Sequence, residues 1–216
     1  MSRGHFFMRI LAAVGGALAS AFVSAQAPAG AERPTPNVGD VWKFRTIDLW
    51  NNNELSTTHS ELIEARADRL VVRATVAPSG EVSTLLFTRD LQPCRTMKDS
   101  TVEVCAGSLK FPLRVGEKHQ FEKLPWPNGE GYNSATCEVK GQESVKVAAG
   151  TFDTYRVECT GNLTRVIGNA FTGRVDETLW YAPKVHRPVM TTYTDYRSNG
   201  GIYNRRKTEL VEYLAK

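Results

Sequence analysis

The chain of 216 residues carries 27 Lys and Arg against 23 Asp and Glu, a formal charge of +4. That imbalance is too slight to call for nucleic acid or an anionic membrane surface as a partner. The length suits one β domain with a substantial core.

The first 25 residues read as a signal peptide. Arg3 and Arg9 supply a positive start, Ile10 to Val23 form a short apolar run, and Val23-Ser24-Ala25 places small residues where a signal peptidase reads. The run is shorter than the ~20 residues that span a bilayer, so no integral membrane span is expected after processing. No Cys follows it directly, which excludes acylation of a new N-terminal Cys. Cleavage between Ala25 and Gln26 would leave 25 basic against 23 acidic residues, and a periplasmic or secreted protein. Residues 26–36, with Pro28, Pro34 and Pro36 among Ala and Gly, are predicted to be a disordered lead-in. A single domain then covers 37–216.

Within that domain the elements are short and alternating. Trp42 and Phe44 face one way while Lys43 and Arg45 face the other, a strand period. Leu70 to Val76 is stopped by Pro78-Ser79-Gly80, and Val82 to Thr88 resumes the pattern. Glu143 to Val147 and Phe152 to Cys159 flank a turn at Ala148-Ala149-Gly150-Thr151. Thr178 to Tyr181 ends at Ala182-Pro183, since Pro cannot donate to a ladder. Val189 to Tyr196 and Ile202 to Leu214 surround the tip Asn199-Gly200-Gly201. These runs predict an all-β fold with few or no helices: one antiparallel meander curved into a half or open barrel. One echo runs through it, because Val38-Gly39-Asp40-x-Trp42-x-Phe44 returns as Val115-Gly116-Glu117-x-His119-x-Phe121.

Four cysteines fall in the exported part, and an even number in an oxidising compartment favours disulfides. Three connectivities exist on paper. A hairpin tip at Lys98 to Thr101, with Asp99-Ser100 as the loop, sets Cys94 opposite Cys105 at a Cα separation of about 5.5 Å. Cys137–Cys159 follows by elimination. Zinc is the competing use of four Cys, but no C-x-x-C pair is present, so no metal and no cofactor is expected.

Three blocks together resemble a group of bacterial exported proteins of unknown function. They are Val38 to Phe44, the hairpin Gly141-Gln142-Glu143-Ser144-Val145-Lys146-Val147-Ala148-Ala149-Gly150-Thr151-Phe152, and Trp180-Tyr181-Ala182-Pro183. The resemblance implies the curved half-barrel architecture of periplasmic lipoprotein carriers and an apolar cavity, without assigning an activity. The chain departs from that pattern at Val185-His186-Arg187-Pro188, where such proteins commonly continue with a Gly-rich turn, and in its four cysteines.

No catalytic constellation stands out. His59, His119 and His186 lack metal-ligand spacing, and no Gly-x-Ser-x-Gly elbow exists. Asp176 and Glu177 are neighbours on a strand and so point to opposite faces, the pattern of strand decoration. Arg205-Arg206-Lys207 reads as charge protecting a sheet edge. Trp42 and Trp180 suit the core. Trp126, in the Pro- and Gly-rich stretch Leu124 to Tyr132, suits a partial lid over a cavity, with Tyr132 beside it, and Trp50 sits similarly at a strand end. The expectation is a non-enzymatic exported binding or carrier-like module for an apolar or lipid-like molecule or a cell-envelope protein. An envelope enzyme acting on glycan or lipid and a structural envelope component are the alternatives.

Overall fold

The structure is a computed structural model that describes Met1 and residues 30–216. The expected signal peptide, its cleavage position and the start of the lead-in lie outside the described residues. The first half contains β1 (Val41–Asp48), β2 (Glu54–Ala65), β3 (Arg69–Ala77), β4 (Glu81–Thr88), β5 (Pro93–Thr96) and β6 (Glu103–Cys105). The second contains β7 (Lys118–Pro125), β8 (Gly131–Val147), β9 (Gly150–Arg165), β10 (Phe171–Ala182), β11 (Arg187–Tyr196) and β12 (Ile202–Leu214). A single 3-10 turn, Pro183–Val185, interrupts them. Among the described residues no helix is long and apolar enough to cross a membrane.

All twelve strands form one antiparallel sheet in the order β6-β5-β4-β3-β2-β1-β12-β11-β10-β9-β8-β7. Each half is thus a six-stranded meander, and β1 joins β12 where the halves meet. The sheet curls until its outer strands approach without sharing a ladder. The Lys98 N–H donates to the Gly129 carbonyl at 2.9 Å, and Arg95 Nη1 donates to the Pro125 carbonyl at 3.1 Å. The result is a nearly closed, open barrel, as the strand pattern predicts.

The sequence echo is a structural repeat. Gly39 donates to the Leu62 carbonyl and Gly116 to the Val139 carbonyl, 77 residues on, at 2.7 and 2.8 Å. Leu62 donates back to the Asp40 carbonyl as Val139 does to the Glu117 carbonyl. Val41 faces Glu61 as Lys118 faces Glu138, and the register slips at the same place, between Leu62 and Glu64 and between Val139 and Gly141. Gly39 (φ 93°) and Gly116 (φ 89°) occupy the same turn position, where a side chain would strain the backbone.

The two ends of the barrel differ. Successive antiparallel strands put the connections 66–68, 89–92, 106–117, 148–149 and 183–186 at one end, and the hairpin tips at the other. The first end is packed solid by Trp42, Leu62, Leu70, Leu113, Tyr181, Val185 and Leu210, all almost fully buried. The Trp42 indole N–H donates to the Val185 carbonyl at 2.8 Å, which satisfies the one polar atom of that ring. The Phe111 ring meets Tyr181 edge-on at 5.0 Å.

Three expectations are corrected here. The described part of the lead-in is ordered: Ala31, buried, exchanges both backbone hydrogen bonds with Leu113, whose peptide groups have no strand partner otherwise. Both disulfides form as expected, Cys94–Cys105 and Cys137–Cys159, but with Cα atoms 4.0 Å apart. That is the closer, non-hydrogen-bonded type of cross-strand pair, and the first hairpin has a longer loop, 97–102. Finally, Arg205-Arg206-Lys207 is not at a sheet edge, because β12 lies between β1 and β11.

Candidate functional site

Towards the end carrying the hairpin tips, the barrel encloses a cavity of about 1190 Å³. Alternation along each strand sends every second side chain inward. From β7 to β10 these are mostly apolar: Phe121, Leu124, Ala135, Leu163, Val175 and Leu179, with Phe44 and Phe87 from the first half. From β11 and β12 they are Thr191, Tyr193, Asp195, Asn204, Arg206 and Thr208. The lumen therefore has an apolar wall and a polar wall facing each other.

The connection between the two halves runs into this space. Ser108 donates to the Glu177 carboxylate of β10 at 2.5 Å, Gln92 Nε2 donates to the Leu109 carbonyl at 3.1 Å, and His119 Nε2 contacts the Gly107 carbonyl at 3.2 Å. Burial pushes the Glu177 carboxyl above its usual range, against the opposing pull of Ser108, Arg206 and Arg95. Burial likewise pushes Arg95 down, with Glu177 opposing it. The Tyr193 hydroxyl, beside Asp195 and hydrogen-bonded to Asn133, is pushed up to about 12, mainly by burial. Asp195 is raised by the same cause, and one of its oxygens is buried without a hydrogen-bond partner.

Arg187 stands apart from this group. It opens β11, directly after His186, whose left-handed backbone (φ 57°) turns the chain out of the 3-10 turn. Arg187 is partly buried, and its side chain lines the cavity. It lies 4.9 Å from the Phe87 ring centre and 5.2 Å from that of Trp42. No carboxylate of the described residues lies within ion-pair distance, and burial lowers its pKa to about 10, which still leaves it charged at neutral pH. Ring faces offset part of the cost of burying such a charge. They do not replace a carboxylate.

Of the three residues expected to touch a ligand, the structure brings only Trp126 to the lumen. Its indole N–H donates to Asn133 Oδ1 at 2.7 Å, and residues 126–131 form a tight turn closed by the Trp126 N–H to the Gly131 carbonyl at 2.8 Å. Tyr132 points to the outer face, because its strand neighbours Asn133 and Ala135 point in. Trp50 is 63% exposed in the turn between β1 and β2, away from the cavity. Trp42 is core, whereas Trp180 lies half-buried and donates to Glu143 at 2.5 Å. Asp176 and Glu177 do point to opposite faces, and Glu177, read as decoration, is the one inside. Arg187, Arg206 and Ser108 were likewise missed as lumen residues. For the two arginines the signal is polar residues at alternate positions of β11 and β12, which implies a wet interior once the inward face is known. The three histidines do not converge. Among the described residues, the one group within metal-binding reach is Cys94, Glu103 and Cys105, and both its cysteines are bridged.

No known family profile matches the chain, and no curated protein matches it. Solved structures share its fold, two of them over most of its length. A candidate lipoprotein from Parabacteroides distasonis is 17% identical over 86% of this chain and all of its own, with a TM-score of 0.51. A candidate exported protein with a YmcC-like fold from Bacteroides fragilis is 13% identical over 86% of this chain and all of its own, with a TM-score of 0.50. At such identities the likeness is one of fold alone.

Proposed function

We propose that this protein is exported and works by binding, taking an apolar or lipid-like molecule into the barrel lumen. One observation carries the reading: a cavity of about 1190 Å³ with a largely apolar wall and Trp126 at its rim. Small-molecule sites are commonly ~300–1,000 Å³, so this space has room for an acyl chain. Water held against Phe121, Leu163, Val175 and Leu179 would be released by an apolar ligand, a favourable exchange. Two disulfides suit an oxidising compartment outside the cytoplasm.

A fluorescent fatty-acid probe is expected to bind saturably at micromolar concentration. Trp126→Ala should weaken it by ~1–3 kcal/mol, the usual loss for a buried aromatic contact. Trp50→Ala should leave it unchanged, since that ring is outside the lumen. Absence of saturable binding to the wild type would remove the reading.

A further inference from the structure

Nothing in the proposed function says which end of an amphiphile the lumen recognises, or what its polar end must be. Arg187 addresses both questions. A guanidinium offers five donors in a planar fork and suits carboxylate or phosphate. Here that fork has no carboxylate of the described residues within reach, sits between the Phe87 and Trp42 rings, and faces the cavity. A partly buried charge left so is unfavourable in the empty protein and becomes favourable when an anion meets it.

The position within the barrel matters as much as the charge. Arg187 lies where the hollow part meets the packed end, beside Phe87 and the buried Trp42. Phe121, Trp126 and Phe171 line the lumen closer to the mouth. An anionic group held at Arg187 therefore leaves an attached chain running outward along the apolar wall. Glu177, midway, holds the Ser108 hydroxyl and is flanked by Arg95 and Arg206, so the path is not closed to a negative charge.

We propose that the lumen selects an anionic amphiphile, whose carboxylate or phosphate is bound at the floor by Arg187 while its chain lies towards Trp126. This rests on the lumen being the binding site. Its consequence is a charge preference that a purely apolar cavity would not show.

The test compares dansylaminoundecanoic acid with its methyl ester, which share a chain and differ in charge. The wild type should bind the acid about tenfold or more tighter than the ester, as a charge-assisted contact gives. Arg187→Met should bring the two within about twofold while keeping ester affinity, because Met replaces the stem without the charge. Arg187→Lys keeps the charge without the fork and should retain part of the preference, which also serves if the Met variant fails to fold. A lysophosphatidic acid and a free fatty acid, used as competitors, distinguish phosphate from carboxylate. Inorganic phosphate alone should not compete. Equal binding of acid and ester by the wild type would overturn the charge preference and leave the lumen site standing. So would an acid preference that survives Arg187→Met. Binding of neither probe would overturn both.

Discussion

Asp40 shows how a single side chain of a short motif holds the termini of this fold. It is fully buried, and its two carboxylate oxygens accept the Asn37 N–H and the Lys216 N–H, each at 2.9 Å. Its own carbonyl accepts from Leu62. The acidic residue of the Val-Gly-Asp block is therefore a strap between the start of β1 and the end of the chain. Asp40→Ala leaves those donors without a partner and should cost on the order of 2–3 kcal/mol, visible as a lower melting temperature. Asp40→Asn, which keeps one acceptor, should lose less. Glu177 behaves oppositely. Its carboxyl is raised above the ordinary 4.5 by burial, so the stability its protonated form supports is complete below about pH 4.5 and lost as pH rises through the folded-state value. Glu177→Gln should match the wild type near pH 4.5 and melt at a higher temperature near pH 8. A variant that instead loses stability as pH rises would show that the carboxylate is well compensated.

Among the elements, the hairpins were the most legible part of the chain. Pro78-Ser79-Gly80, Ala148-Ala149 and Asn199-Gly200-Gly201 all sit at turns, and the cross-strand position of Cys94 and Cys105 follows from hairpin symmetry alone. Trp126 was legible as a cavity residue because an aromatic in a Pro- and Gly-rich turn has few packing partners nearby. Which face of β11 and β12 turns inward was not legible. Both faces of these strands mix polar and apolar residues, and only closure of the sheet decides between them. Arg187 and Arg206 were missed for that reason. The turn at Trp126 also proved tighter than a lid. Gly129 (φ 68°) lies against the Lys98 backbone, so that a Cβ there would collide with it. Gly80 (φ 72°) has nothing within 4 Å. Gly80→Ala should pay only the conformational cost, ~1–2 kcal/mol, whereas Gly129→Ala should lose more and loosen the seam between β5–β6 and β7. Thermal melts of the two variants decide this. An equal loss would mean that the contact across the seam contributes nothing.

At the scale of the whole molecule, two six-stranded meanders repeat the same opening turn and the same register slip, and together they close nearly all of a barrel. One end is packed solid while the other stays hollow. The connection at 106–117 and the segment around Ala31 fill one end, and the hairpin tips around the mouth have nothing comparable between them. A cavity of this size lined on one side by Phe, Leu and Val is costly to leave to water, and it is expected to be filled in use. Native mass spectrometry of the protein purified without detergent or added lipid tests this directly. The expected result is a bound species of lipid-like mass, in one-to-one ratio, released by organic solvent. Recovery of the bare chain alone, together with no saturable uptake of added fatty acid, would contradict it.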